Sequence, residues 1–505
     1  MNTRRSVLLT SLINSTENMG LKSVHASLLE RGHDSHILFY VSDSPSYFRE
    51  VADFVREHQV SVVGISLMSR LLPLAAALTE SLKKTSDPGP RIVWGGIHAM
   101  IDPRSAAGYA DYVCMGEGES AFGDFLDGYH DDSEVTGVEG IVPSDSPEFG
   151  KIEPIADLDA LPNCEYLPKS AWITDEGRIK PLDHQLTMKH NRNRGAYLGV
   201  LTSRGCPFSC SYCCNNFLQR YYGTKIRKRS PERVIQEIEE ALFAVKRKFL
   251  SINVLDDCFT AHSNQWLETF CSYMKPFNIP LAFRAIPRFL SREKLRILRD
   301  IPISSVVLGL QSGSERTLRE VYQRKHSPLA LTSCAQLLDE HDIPAVYDVI
   351  VDNPYETRAD IEETVKLVSD LPNTAYVSLF SLTFYKGTAL YDKAKADGYP
   401  VDDHLTKDQD GWSKASPEVR ALKVAALLNR TTALEVLQNP SGLAAIRPFI
   451  ASRVLLRILE PWRHLRMLYL SSGRKYLTLL RLIGAHVRDY ACKYFSLSRV
   501  NKQPH

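Results

Sequence analysis

The sequence predicts an α/β fold in two parts, followed by an all-helical region, and three patterns support this prediction. Short apolar strands alternate with helical segments from Ser6 to about Ala121, which is typical of a doubly wound parallel sheet. A second alternation, within 196–405, predicts a partial (β/α)6 barrel. After Trp412 only helical patterns occur. We therefore expect these units: 1–135, a Rossmann-like sheet domain; 136–195, an extended linker; 196–405, the barrel; and 406–505, a basic helical domain.

The composition is that of a globular protein of about three domains, with 505 residues and 44% hydrophobic content. Outside one cluster the cysteines are scattered without paired spacing, which favours a reducing cytosol over a disulfide framework. The apolar run after Arg5 is short and lacks a cleavage site, so we interpret it as a first strand. No apolar stretch reaches the roughly 18 to 20 residues of a spanning helix. We expect a cytoplasmic location.

The predicted strands of the N-terminal sheet end in glycines and small polar residues. In open parallel sheets a ligand binds beyond the carboxyl ends of the strands, where such residues let it approach the backbone. Each of these ends is also compatible with an ordinary tight turn before a helix. The candidate ligand-binding residues at these ends are Ser15, Glu17, Gly20, Ser66, Gly95, Gly96, Gly116 and Glu117.

The stretch "TSRGCPFSCSYCC" places Cys206, Cys210 and Cys213 in C-x3-C-x2-C spacing directly after a predicted strand. Three thiolates supply three of the four ligands of a [4Fe–4S] cluster and leave one iron open for a small chelating ligand. A structural zinc site would need a fourth ligand, and such sites usually come as two separated pairs. Cys214 is adjacent to Cys213 and therefore points elsewhere.

The barrel strands also end in polar residues, the positions at which parallel barrels build their sites. Any one of them could instead cap a helix or lie on a solvated edge. These carboxyl-end residues include Asp256, Asp257, Arg284, Gln311, Ser312, Ser314, Asp352 and Asn353.

The cysteine spacing, with Tyr212 in its aromatic slot, resembles the signature of the radical S-adenosylmethionine (SAM) superfamily. "GLQSGSERTL" and the later Gly387, Thr388, Leu390 and Tyr391 resemble its SAM-contact segments, and the first 120 or so residues resemble the cobalamin-binding domain that precedes the barrel in many members. The resemblance implies a [4Fe–4S] cluster on the three cysteines, cobalamin on the sheet-end residues named above, and a flavodoxin- or ferredoxin-type electron donor. It implies these SAM contacts: Tyr212, Asp257, Arg284, Gln311, Ser312 and Asp352.

The sequence departs from the family pattern at three positions. Many cobalamin domains carry D-x-H-x-x-G after the first strand, and Glu17 stands here where that histidine would be. No histidine of this motif would then ligate cobalt. Gln311 replaces a more usual Glu and keeps hydrogen-bonding capacity without charge. Tyr355 replaces a more usual Gly after Pro354, and its bulk would shape the substrate side of the pocket.

The resemblance implies a class B-type radical SAM methyltransferase that uses a 5′-deoxyadenosyl radical and methylcobalamin to methylate an unactivated carbon of a lipid-like or secondary-metabolite substrate. Two alternatives stay open at this point. The same cofactors could support ring formation, rearrangement or oxidation, or the chain could be a non-enzymatic cobalamin carrier. A methylthiotransferase usually has three further cysteines in its N-terminal domain, where this chain has only Cys114.

The C-terminal 64 residues, 442–505, carry 12 Lys or Arg against Glu460 and Asp489. Arg474, Arg481 and Arg488 recur every seven residues and so share one helical face. One interpretation is a helical cap with a solvated face. The other is peripheral contact with an anionic membrane, at the inner face of the cell membrane. A nucleic-acid partner is disfavoured because no RNA-binding module accompanies the charge.

Overall fold

The computed structural model describes residues 4–401 except 14, 43–44, 86–88, 130–134, 147–151, 191–196, 247–248 and 373–374, and beyond residue 401 it describes Leu422. The Leu422 side chain is fully buried and belongs to the hydrophobic core of the barrel. The predicted helical domain, with its arginine face, otherwise lies outside the described residues.

The N-terminal domain is built on an eight-stranded sheet with strand order β6-β5-β4-β3-β1-β2-β7-β8. The strands are β1 (Ser6–Ser11), β2 (Asp34–Phe39), β3 (Val62–Ser66), β4 (Arg91–Gly95), β5 (Tyr112–Cys114), β6 (Ile141–Pro143), β7 (Ala171–Asp175) and β8 (Arg178–Pro181). The helices are α1 (Met19–Glu30), α2 (Phe48–Glu57), α3 (Leu72–Thr85), α4 (Ile97–Ile101), α5 (Pro103–Ala107), α6 (Gly118–Gly128) and α7 (His184–His190).

The central strands of this sheet are parallel and buried on both faces, as the continuous apolar runs of the sequence predict. β1 pairs with β2 on one side and β3 on the other, so their carboxyl ends meet at one edge. The loop after β1 is fixed by Asn18, whose amide donates to Ser11 Oγ at 2.9 Å and accepts from Leu21 N–H at 3.0 Å. The parallel pairing of these strands confirms the doubly wound parallel sheet.

The segment 136–195, which the composition predicts to be a linker, contributes three strands to the same sheet. β6 pairs antiparallel with β5 at one edge. β7 pairs parallel with β2 at the other edge and forms a hairpin with β8. Glu176 and Gly177 make the hairpin turn with φ of 48° and 82°, the left-handed conformations that a two-residue turn requires.

The second domain is a six-stranded, all-parallel partial barrel with order β16-β15-β14-β13-β12-β9, as predicted. Its sheet strands are β9 (Tyr197–Val200), β12 (Ser251–Val254), β13 (Leu281–Ala285), β14 (Ile303–Gln311), β15 (Ala345–Val351) and β16 (Ala375–Ser381). A short ribbon joins β10 (Ser203–Arg204) to β11 (Arg227–Lys228). The helices are α8 (Cys214–Tyr222), α9 (Pro231–Ala244), α10 (Asn264–Met274), α11 (Arg292–Leu298), α12 (Pro328–Asp339), α13 (Arg358–Ser369) and α14 (Ala389–Ala396).

Strand β14 shows how the barrel separates its core from its interior. Buried and half-buried residues alternate along its whole length. Val306, Leu308 and Leu310 are buried in the core between strands and helices. The alternate positions, which end at Gln311, therefore line the barrel interior.

The two domains pack together around helix α8. Phe217 on α8 belongs to the hydrophobic core of the N-terminal domain, and Tyr222 Oη lies 4.0 Å from Met100 Sδ on α4. Lys386 adds an ion pair of 2.7 Å to Asp102. Because α8 begins at Cys214, this packing holds the cysteine loop beside the carboxyl edge of the N-terminal sheet.

Candidate active site at the domain junction

The loop that carries Cys206, Cys210 and Cys213 is held closed by hydrogen bonds from helix α8 and from within the loop. The Gln219 side chain donates to the carbonyl oxygens of Cys206 at 2.7 Å and Phe208 at 3.0 Å. The Cys213 N–H donates to the Cys210 carbonyl at 3.0 Å. All three thiols are thus presented from one short, ordered loop at the end of β9.

The chemistry of this donor set fits a [4Fe–4S] cluster better than a single ion. The described residues contain no group of three or more His, Cys, Asp or Glu side chains placed to hold one metal ion. A cubane differs because each thiolate binds a separate iron atom. A hydrogen bond from the Cys214 thiol lowers the pKa of Cys213 to about 7 and raises that of Cys214. Cys214 therefore contacts a predicted cluster ligand and does not point away from it, contrary to the expectation from its adjacency to Cys213. Burial raises the pKa of Cys206 to about 12 until metal displaces its proton.

Asp256 fixes the backbone just before the cysteine loop. Its carboxylate accepts from the Thr202 N–H at 2.7 Å and from Ser203 Oγ at 2.6 Å, and it lies 3.7 Å from His262 Nε2. Asp256 is 1% exposed. Both aspartates border a cavity, but Asp256 is buried and fixes the strand end, whereas Asp257 is exposed.

That cavity of about 240 Å³ is bordered by Cys206, Asn215 and Asp257 beside the cysteine loop. Desolvation raises the pKa of the Asp257 carboxyl, against the opposing effects of Asn215 and Arg284. Arg284, on β13, is exposed to the barrel interior. It also interacts with Asp348, whose pKa burial raises to about 6. Sequence analysis missed Asp348, although its position two residues from other inward-facing positions on β15 is a usable signal.

The other SAM-contact residues predicted from the sequence lie at the same end of the barrel. Gln311 ends β14 with a left-handed φ of 64°. Ser312 is buried, and its hydroxyl donates to Glu356 at 2.6 Å. Asp352 accepts from Ser381 Oγ at 2.6 Å. Their contacts with SAM stay predictions.

A larger cavity of about 310 Å³ opens at the carboxyl edge of the N-terminal sheet. Its walls are mostly apolar side chains and six glycines, which give a flat ligand close access to the backbone, and Glu117, Glu119 and Arg204 add charge at its border. At its floor, a Cβ on Gly64 would lie 2.8 Å from Leu9 Cδ2 and 3.0 Å from Phe122 Cζ. The glycines are Gly20, Gly64, Gly95, Gly96, Gly116 and Gly118.

Six of the eight residues predicted to bind cobalamin border this cavity: Gly20, Ser66, Gly95, Gly96, Gly116 and Glu117. Ser15 and Glu17 are not among the residues bordering it. The Ser15 hydroxyl accepts from the Glu17 N–H at 3.0 Å, and the Glu17 charge acts on Tyr166 and Tyr197, away from the cavity. None of the described residues that border the cavity is a histidine. The glycine-rich lining of this cavity fits cobalamin, and binding without a histidine ligand stays a prediction.

Charged residues join the two cavities. Glu117 accepts from Arg204 at 2.9 Å and from Arg227 at 2.6 Å, and Arg204 also donates to Glu119 at 2.6 Å. Burial opposes ionisation of Glu117, but Arg227 and Arg204 outweigh it and hold its pKa below the usual range. Glu117, Leu201 and Arg204 border both cavities.

Tyr212, in the cysteine loop, is hydrogen bonded by Arg324. The Arg324 Nη1 donates to Tyr212 Oη at 2.5 Å, and its Nη2 donates to the Gly309 carbonyl at 3.2 Å. The loop is tied to the barrel a second time by Ser211, which donates to the Val321 carbonyl at 2.6 Å. Sequence analysis missed Arg324, because it lies more than 100 positions from its partner.

A glycine-walled slot on a doubly wound sheet, beside a three-cysteine loop on a partial barrel, defines a corrinoid-dependent radical enzyme. Residues 5–126 match the B12 binding domain family, and residues 200–368 match the radical SAM superfamily. The chain is therefore a radical SAM enzyme with an N-terminal cobalamin-binding domain, and its cofactors are cobalamin, SAM and a [4Fe–4S] cluster. Because the chain is an enzyme, the alternative of a non-enzymatic cobalamin carrier is rejected.

Two curated relatives and one solved structure illustrate the likeness. The chain is 24% identical to an uncharacterized methyltransferase, PH0819, of Pyrococcus horikoshii, over 74% of this chain and 77% of that protein. It is 24% identical to the anaerobic magnesium-protoporphyrin IX monomethyl ester cyclase of Synechocystis, over 74% and 72%. The radical SAM methyltransferase TsrM of Kitasatospora setae, solved with tryptophan and a SAM analogue, shares the fold with a TM-score of 0.64, 16% identity and coverage of 78% and 76%.

Proposed function

We propose that this enzyme methylates an unactivated carbon of an amphiphilic, lipid-like or secondary-metabolite substrate. The observation that carries the proposal is the common wall of the two cavities, formed by Glu117, Leu201 and Arg204. A methyl donor in one cavity and a hydrogen-abstracting group in the other would act on one substrate carbon only if they share such a boundary. The relatives named as methyltransferases support the same reaction class.

The cofactors supply the reactive groups: cobalamin a transferable methyl group, and SAM with the cluster a carbon radical that abstracts hydrogen. The protein residues position and shield them. Asp256 holds the strand end before the cysteine loop, and the Glu117–Arg204 pair holds that loop against the corrinoid slot. Apolar walls such as Phe122 and Leu21 keep water away from the slot.

The barrel interior supports an amphiphilic substrate. Arg284 and Asp348 provide opposite charges within it. Phe380, on the last strand, is 41% exposed, an unusual exposure for a large apolar side chain in a barrel. A polar head group paired with Arg284 or Asp348 would leave an apolar body against Phe380.

A second candidate function keeps the cofactors and replaces methyl transfer by ring formation or oxidation. The relative named as a magnesium-protoporphyrin cyclase favours it. Both functions need a one-electron donor of low potential, of flavodoxin or ferredoxin type. The two differ in whether the methyl group of SAM ends in the product.

The test is anaerobic turnover of the reconstituted enzyme with SAM carrying a deuterated methyl group, using lipid and metabolite extracts as substrate. Mass spectrometry should find a product heavier by one labelled methyl group, less one hydrogen. The Cys213→Ala variant, which lacks a cluster ligand, is the control and should give no labelled product. Formation of 5′-deoxyadenosine with no labelled product would reject methyl transfer and favour the second candidate.

We further propose that residues 442–505 bind the enzyme to an anionic membrane, and the support is their 12 basic residues against two acidic ones. No helix among the described residues is long and apolar enough to cross a membrane. The competing interpretation is a helical cap with a solvated face. Sedimentation with anionic and neutral vesicles distinguishes the two, with Arg474, Arg481 and Arg488 changed to Gln as the variant. Equal sedimentation of wild type and variant would reject the membrane proposal.

A further inference from the structure

Arg324 is the unusual cation of the active site, because it lies among thiols and no carboxylate of the described residues pairs with it. Its positive charge acts on Cys206, Cys210 and Cys213, the three cluster ligands. Its hydrogen bonds go to the neutral Tyr212 hydroxyl and to the Gly309 carbonyl. Its Nε is buried without a hydrogen-bond partner.

The backbone is shaped to admit this side chain. A Cβ on Gly309 would lie 2.6 Å from Gln311 Nε2 and 3.3 Å from Arg324 Nη2, so a larger residue at this position would displace the ends of these side chains. Gln311 is neutral, and it therefore adds no charge that would cancel the guanidinium. An arginine stays protonated at any physiological pH. Arg324 thus places a fixed positive charge, with no carboxylate partner among the described residues, beside the cluster ligands.

We propose that Arg324 is a positioning residue that raises the reduction potential of the [4Fe–4S] cluster. Reduction adds one electron from a low-potential one-electron donor to a cluster that three thiolates already make negative. A nearby fixed cation stabilises the more negative, reduced form more than the oxidised form. Net charge and hydrogen bonds near the sulfurs are the protein's means of setting such potentials. This inference does not depend on whether the enzyme transfers methyl groups.

The experiment is a reductive titration of the anaerobically reconstituted holoenzyme, without SAM, followed by the electron paramagnetic resonance signal of the reduced cluster. In Arg324→Gln the equilibrium constant for one-electron reduction should fall at least tenfold, which is a midpoint shift of about 59 mV to more negative potential. Arg324→Lys keeps the charge and should stay closer to wild type than to Arg324→Gln. A wild-type midpoint in Arg324→Gln with full iron content would overturn the proposal.

Two matched variants separate charge from structure. Tyr212→Phe removes the hydrogen bond of Arg324 and keeps its charge, so its midpoint should stay near wild type. Arg319→Gln removes one exposed positive charge from the same segment and should have little effect because solvent screens it. A shift in Tyr212→Phe as large as that in Arg324→Gln would assign the effect to loop geometry and overturn the charge proposal.

The Gln311→Glu variant tests the charge proposal if the Arg324→Gln protein does not retain its cluster iron. It leaves Arg324 in place and sets a carboxylate beside the guanidinium, because both side chains border Gly309. The added negative charge should lower the midpoint potential in the same direction. A Gln311→Glu enzyme with full iron and a wild-type midpoint would overturn the proposal.

Discussion

Arg204 Nη1 donates to Glu117 Oε1 at 2.9 Å, and this contact joins the cysteine loop to the rim of the corrinoid slot. The two residues are 87 positions apart and belong to different domains. Arg204 stands two residues before Cys206, while Glu117 precedes helix α6. A movement of one domain relative to the other would therefore shift the loop that carries the cluster ligands.

Arg204→Gln should destabilise the protein by about 3 kcal/mol, because it leaves Glu119 and part of Glu117 buried without their cationic partner. Thermal unfolding of the cofactor-loaded enzyme measures the change. Arg292→Gln is a suitable control, since its ion pair to Glu340 is largely exposed and should contribute less than about 1 kcal/mol. Equal effects of the two variants would show that the domain junction does not depend on this pair.

Cys214→Ala should leave most of the cluster iron in place, whereas Cys213→Ala should lose it. The Cys214 thiol only donates to Cys213 and is not itself in ligand spacing. Iron and sulfide analysis after anaerobic reconstitution measures both variants. Equal iron loss in the two would refute the assignment of Cys206, Cys210 and Cys213 as the three ligands.

Cobalamin should bind without a histidine ligand from the protein, because no described residue that borders the slot is a histidine. Electron paramagnetic resonance of the cob(II)alamin form tests this directly. Any superhyperfine splitting from an axial nitrogen should stay unchanged when the histidines of the protein carry ¹⁵N, because the nitrogen base of cobalamin is then its source. A splitting that changes with this label, in a sample whose cobalamin content equals the protein content, would contradict the prediction.

Local patterns in the sequence were sufficient for the elements that depend on local chemistry. The Cys206 loop, the parallel strands and the glycine-rich strand ends follow from spacing and periodicity, and the structure has them at one junction. The β7–β8 hairpin was predictable in the same way from Glu176-Gly177, although the polar composition around it favoured a linker.

Long-range partners account for most of what the sequence could not show. Arg227 meets Glu117 across 110 positions, and Arg324 meets Tyr212 across 112. No period or spacing relates such residues, because each contact exists only once the chain has folded. The cobalamin contact of Glu17, which its place in a motif predicts, stays a prediction; in the structure its charge acts on Tyr166 and Tyr197.

Glu356 should make the stability of the protein depend on pH. Burial raises the pKa of its carboxyl to about 7, against the hydrogen bond that Ser312 donates to it. The folded protein therefore holds a proton that the unfolded chain releases near its ordinary pKa, about 4.3. Stability from this group is then fully present below about pH 4 and falls as the pH rises towards 7, where the folded protein also releases the proton.

Glu356→Gln should remove this contribution, because the amide oxygen can still accept from Ser312 while nothing titrates. The measurement compares the melting temperatures of wild type and variant at pH 5.5 and pH 8. The wild type should lose more stability than the variant over this interval, and the variant should be the more stable of the two at pH 8. Asp348 also titrates in this range, with a pKa of about 6, and is present in both proteins, so its effect cancels in the comparison. If the melting temperatures of the two proteins change equally between pH 5.5 and pH 8, Glu356 is ionised in the folded protein at neutral pH without a cost in stability.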